Sequence, residues 1–169
     1  ERPLIISGGG TRYSLAESVL AEFAEAHNIP IAETVAGKGT LVHNHMMHIG
    51  PIGVTGSSSA NIMAAEADVV LAVGTRLQDF TTGSWTVFSH DADFIGVNTA
   101  RWDASKHRAL AVVGDALETI KELGQLLGNW QASPKWAEKG RSEFASWNDI
   151  LDQHQSREAG STITYAQVI

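Results

Sequence analysis

The residues best suited to chemistry sit just after short apolar runs. Gly8-Gly9-Gly10 follows the first such run. Glycines there either let backbone N–H groups approach a phosphate at a helix start or make a tight turn that holds nothing. A dinucleotide fingerprint would need a further glycine where Tyr13 stands, and the sequence contains no Gly-Lys-Ser/Thr phosphate loop. The hydroxyl-rich Thr55-Gly56-Ser57-Ser58-Ser59-Ala60-Asn61 precedes a helical segment, which suits ordinary N-capping or an anion held against the helix dipole. It lacks the Gly-x-Ser-x-Gly elbow of a serine nucleophile. His43, His45 and His48 are spaced closely enough to raise the question of a metal. Gly37, Gly39, Gly50, Pro51, Gly53 and Gly56 around them make a long glycine-rich loop instead, suited to substrate access or domain contact. Asp115 after Gly114 either touches a ribose hydroxyl or caps a helix, and Arg76 and Asp79 reach a ligand or each other. No residue is assigned a catalytic or metal-binding role.

The elements that must position these residues follow from hydrophobic periodicity. Runs rich in β-branched residues at 4–7, 29–34, 69–73, 94–97 and 110–113 predict buried parallel strands. Between them, Ser14-x-x-Glu17 predicts a capped helix with Leu15, Val19, Phe23 and Ala26 on its inner face, and Asp115-x-x-Glu118 predicts another with Leu117, Ile120, Leu123 and Leu127 inward. Strands alternating with helices predict a three-layer, Rossmann-like α/β domain with a central, mostly parallel sheet, whose ligands sit at the strands' carboxyl ends.

That domain is expected over residues 1–130. Ser133-Pro134 opens a tail helix over 131–152 whose Trp136, Phe144, Trp147 and Leu151 form a stripe that packs back on the domain. Residues 153–169 have linker composition and end in Thr164-Tyr165-Ala166-Gln167, a second capping-box spacing. A helix begun there and a start at Glu1 without methionine are read as internal boundaries of a longer protein.

The 169 residues, 43% hydrophobic, suffice for one such domain. A net charge of -7 leaves no basic stripe for nucleic acid, and no apolar run reaches membrane-spanning length. With no cysteine, a reducing cytoplasm is the expected compartment.

The ordered set Gly8-Gly9-Gly10, Ala36-Gly37-Lys38-Gly39, His45 to Gly50, Gly56 to Asn61, Val73-Gly74-Thr75-Arg76 and Gly114-Asp115 resembles the middle domain of thiamine diphosphate enzymes of the acetohydroxyacid synthase superfamily, a DHS-like NAD/FAD-binding fold. The likeness runs over residues 2–127. The strings GTRLQDFTTGSW (74–85) and NTARWDASKH (98–107) are similar to a branch that hydrolytically opens a cyclic trihydroxy dione in inositol breakdown.

The resemblance implies a thiamine diphosphate- and magnesium-dependent parent, with the cofactor as electron sink for carbon–carbon cleavage. It implies that N- and C-terminal domains absent here bind that cofactor, that the parent is a homodimer or homotetramer acting on a small molecule, and that this piece alone is inactive. In relatives, this domain holds FAD or ADP along the strand ends. The matching positions are Gly8, Gly9, Gly10, Thr40, Gly56, Thr75, Arg76, Asn98, Gly114 and Asp115. Where flavin-binding synthases carry Ala-Arg-Phe-Asp-Asp-Arg and an acidic residue after the fourth strand, this chain has Thr75-Arg76-Leu77-Gln78-Asp79-Phe80 and Asn98, so FAD, ADP and an empty pocket all stay open. The competing readings are the middle domain of a synthase or decarboxylase, and a stand-alone nucleotide- or NAD-binding module.

Overall fold

A computed structural model describes residues 1–156. Six strands are laid down in chain order: β1 (Pro3–Ser7), β2 (Ile31–Glu33), β3 (His48–Pro51), β4 (Val69–Val73), β5 (Asp93–Asn98) and β6 (Leu110–Val113). Every pairing is parallel, in the order β3-β2-β1-β4-β5-β6. This is the order of doubly wound dinucleotide-binding sheets, and it reverses between β1 and β4.

Continuous apolar runs are needed because both faces of the sheet are covered. Ile5, Leu71, Val73 and Val97 point into one core with Leu20, Phe23 and Ile120, carried by α2 (Glu17–His27) and α6 (Ala116–Leu127). Leu4, Ile6, Val70 and Ala72 point into the other with Met63 and Trp136, carried by α3 (Ser58–Glu66) and α7 (Pro134–Gln155). One-residue alternation along β1 and β4 thus feeds two separate cores. Short helices α1 (Gly9–Tyr13), α4 (Asp79–Thr82) and α5 (Arg101–Ala104) follow β1, β4 and β5 at their carboxyl ends.

Two local expectations are corrected. The Ser14-x-x-Glu17 box does not form: α2 starts at Glu17 with Ala16 as its N-cap and no side-chain cap. Ser14 instead donates to Asp115, 2.7 Å away in the loop before α6. Leu15, in the left-handed region at φ 54, is exposed, and so is Ala26. The buried face is formed by Leu20, Phe23, Ala24 and His27. The glycine-rich segment around His48 is not all loop, since His48–Pro51 form β3 beside β2. By contrast, Asp115 caps α6 as its spacing requires, accepting from the N–H groups of Leu117 and Glu118.

Ser133-Pro134 opens α7 as expected, although the Ser133 hydroxyl makes no cap bond. Trp136, Ala137, Gly140 and Phe144 are buried, and the Lys139 ammonium reaches both Glu66 carboxylate oxygens of α3 at 2.6 Å. The segment 157–169, with Thr164 and Gln167, lies outside the described residues.

Candidate functional site

Where the strand order reverses, the loops after β1 and β4 touch at Gly10 and Gly74 and leave a crevice beside that contact. It has two compartments. The first, about 370 Å³, runs from Thr34 and Val35 after β2, past Gly9 and Gly10, to Thr75, Arg76 and Phe80 after β4. The second, about 340 Å³, is bounded by Gly10, Gly74, Asn98, Gly114 and Asp115. Tyr13, 93% exposed, borders both.

Seven of the ten expected positions thus meet in one crevice: Gly9, Gly10, Thr75, Arg76, Asn98, Gly114 and Asp115. Three do not line it. Gly8 lies beneath, with the carbonyl of Gly74 where a side chain would be. Thr40 is buried, its hydroxyl bonded to Ser7 at 2.8 Å and to the Gly37 carbonyl at 2.7 Å. Gly56 belongs to a turn in which its N–H donates to Gly53. Sequence reasoning missed the apolar lining from Tyr13, Val35 and Phe80. Their signal is large apolar side chains within a few residues of the predicted strand ends, Tyr13 in α1, Val35 just after β2 and Phe80 in α4, all three exposed.

The polar groups around this crevice are largely engaged with each other. The N–H of Gly8 donates to Val73, that of Gly10 to Gly74, that of Gly74 to Val97 and that of Gly114 to Asn98. Asn98 uses its amide to reach the Thr75 carbonyl at 3.1 Å and its oxygen to accept from Ala100. The Ser14 hydroxyl and the Leu117 and Glu118 N–H groups hold the Asp115 carboxyl below the usual aspartate range. Arg76 meets Gln78 at 3.4 Å rather than Asp79. The N–H groups of Gly10, Gly74 and Gly114 are thus taken by neighbouring carbonyls, while Gly9, the first residue of α1, has no such bond. Of the crevice glycines Gly9, Gly10, Gly74 and Gly114, only Gly9 keeps its amide for a diphosphate.

The serine cluster is also occupied. Ser57 caps α3, accepting from Ala60 N–H at 3.1 Å, while Ser57 and Ser59 hydroxyls turn to the carbonyl of Ile49. Among the described residues, no group of three His, Cys, Asp or Glu side chains could hold a metal ion, and no helix is long and apolar enough to cross a membrane.

The histidines serve a loop anchor. Glu33, buried in β2, accepts from Leu41 N–H at 2.8 Å and Gly39 N–H at 3.2 Å. His48 Nε2 lies 3.4 Å from its carboxylate, and His45 pairs with Glu25 at 3.0 Å. Burial pushes the Glu33 carboxyl up, but His48 and the two N–H donors outweigh it and leave it below its ordinary value of 4.5. A carboxyl lowered in the folded state stabilises above its unfolded pKa and loses that contribution as pH falls through the folded one. Glu33→Gln is expected to cost about 1–3 kcal/mol at pH 7 in urea unfolding. The gap to the unaltered chain should then narrow as pH drops below 4.5; a gap constant with pH would remove Glu33 as a charged anchor.

Residues 1–123 match the family described as Thiamine pyrophosphate enzyme, central domain. The chain belongs to this family. Over 136 residues it is 46% identical to the 3D-(3,5/4)-trihydroxycyclohexane-1,2-dione hydrolase of Clostridium perfringens, covering 79% of this chain and 21% of that protein. Over 164 residues it is 39% identical to the enzyme of the same name from Geobacillus thermodenitrificans, covering 97% and 25%. Hydrolase 2 of Bacillus cereus is 44% identical over 124 residues, or 73% and 19%. The chain thus spans between 19% and 25% of these relatives' lengths. The second alignment covers nearly the whole chain, whereas the family match ends within α6.

Proposed function

We propose that the chain is the central domain of a longer thiamine diphosphate- and magnesium-dependent enzyme that hydrolyses a carbon–carbon bond of 3D-(3,5/4)-trihydroxycyclohexane-1,2-dione, in inositol breakdown. The observation that carries this reading is the identity of 39% sustained over 97% of the chain to a protein of that name. The shared name among the relatives favours a hydrolase over a synthase, a decarboxylase or a stand-alone nucleotide module.

When bound, thiamine diphosphate supplies the electron sink for the cleavage. In this reading it is held with magnesium by domains outside this chain, in a cytoplasmic homodimer or homotetramer. Residues 1–130 form the domain and 131–152 the helix packed on it, which continues to Gln155 instead of giving way to a connection at 153. The central domain contributes shape. Its crevice, bordered by Gly9, Gly10, Thr75, Arg76, Asn98, Gly114 and Asp115, presents an apolar rim and four polar side chains toward whatever the flanking domains enclose. Flavin is not part of this reading, because Thr75 to Phe80 and Asn98 stand where flavin-binding synthases carry other residues.

The test is made on the parent. Expressed at full length with thiamine diphosphate and magnesium, it is expected to consume the dione and to lose that activity when the metal is chelated. A parent that binds thiamine diphosphate but leaves the dione intact while condensing or decarboxylating a 2-oxo acid would replace this reading with the synthase or decarboxylase one.

A further inference from the structure

The two edges of the sheet are treated differently. The β3 edge ends in Pro51 and is covered by α7, whose Phe144 ring meets His48 at 4.9 Å and whose Gly140 lies against Ile49. The β6 edge is Leu110-Ala111-Val112-Val113, with no charge, proline or bulge. Its inner side pairs with β5. Among the described residues nothing pairs with its outer side, and Leu110 and Val113 are 67% and 52% exposed. An uncharged strand with free N–H and C=O groups is a template for another strand, and monomeric folds usually blunt such edges.

The charges flanking β6 say what the template fits. Lys106, His107 and Arg108 precede the strand, and Asp115 and Glu118 follow it. A parallel partner copy would set like charges side by side, whereas an antiparallel copy sets each basic end against an acidic one. Arg108 makes no ion pair among the described residues, while Lys106 is already held by Asp103 at 2.9 Å. A twofold axis normal to the sheet pairs residues that point to the same face. With Ala111 opposite its own copy, Leu110 faces Val112, and the turn that carries Arg108 comes beside the end of the partner's strand, near Asp115.

We infer that the outer edge of β6 is a self-association surface, on which a second copy of the chain adds its β6 antiparallel and joins the two sheets. A strand this short buries less than the roughly 1,200–2,000 Å² of a stable interface, so the dimer is weak, with Kd in the micromolar range of about 10–100 μM. This inference stands apart from the catalytic reading, because it uses no residue of the crevice other than the Gly114-Asp115 turn.

Sedimentation velocity on the chain Glu1–Ile169 over about 1–200 μM tests it. The expected result is a dimer that grows with concentration and weakens with salt. Ala111→Lys places a charge on an exposed edge position and should raise Kd about tenfold or more. Arg108→Glu, outside the strand, should also weaken the dimer, and both variants should keep the parent's circular dichroism spectrum. Amides on the outer side of β6 should exchange more slowly as concentration rises. A monomer at every concentration, or a dimer indifferent to both substitutions, would overturn the inference. So would slow β6 exchange in a monomer, which would mean that the chain covers its own edge.

Discussion

Replacing Trp136 with alanine is expected to destabilise the chain by about 3–5 kcal/mol, the range for removing a large buried aromatic side chain. Trp136 is 5% exposed, packs into the core shared by Leu4, Ile6 and Met63, and donates its indole N–H to the Pro3 carbonyl at 2.8 Å. It therefore ties the first turn of α7 to the first residue of β1, across nearly the whole sequence. Trp136→Phe keeps most of the apolar area and leaves one carbonyl unpaired, so a smaller loss of about 1–2 kcal/mol should result. Urea unfolding followed by circular dichroism reads both. A loss below about 1 kcal/mol for the alanine variant would make α7 an appendage; the expected loss makes it part of the folding unit, although it lies beyond the residues of the family match.

Gly74→Ala is expected to cost about 2–5 kcal/mol, combining left-handed backbone strain with overpacking. Gly74 sits at φ +60, and a Cβ there would lie 2.6 Å from both Gly10 Cα and Thr11 N. Both neighbours are backbone, so neither can swing aside. Gly9→Ala is the control: its Cβ would meet only Ala36, with Cβ 3.3 Å away, and the loss should stay below about 1 kcal/mol. Equal losses at the two positions would mean that the crevice wall is looser than described. The expected contrast says that these glycines are demanded by the meeting of the β1 and β4 loops, independently of any ligand.

Much of this architecture was legible because burial forces continuous apolar runs, and five of the strands announce themselves by such runs, although the run at 110–113, expected to be buried, is mostly exposed at the sheet edge. The sixth, His48–Pro51, did not. It is four residues long, contains Gly50 at φ +94 and ends in proline, so only its pairing with β2 makes it a strand. Asp115 was read correctly because capping is local, whereas Ser14 was misread because its partner lies about a hundred residues onward. Seven of the ten positions taken from the family resemblance do line one crevice. That Gly8 and Thr40 serve the interior and Gly56 a turn, and that the amides of Gly10, Gly74 and Gly114 are taken by neighbouring carbonyls, depends on how separate loops meet. No spacing in the sequence encodes that.

The central claim is that this chain is a folded domain whose catalytic power resides in a larger protein. It is tested most directly by giving the chain Glu1–Ile169 thiamine diphosphate, magnesium and the trihydroxycyclohexanedione, with calorimetry for cofactor binding and a product assay for ring opening. The account predicts a cooperatively folded chain that gives no binding heat for thiamine diphosphate and no product. Saturable cofactor binding together with turnover of the dione by this chain alone would contradict it.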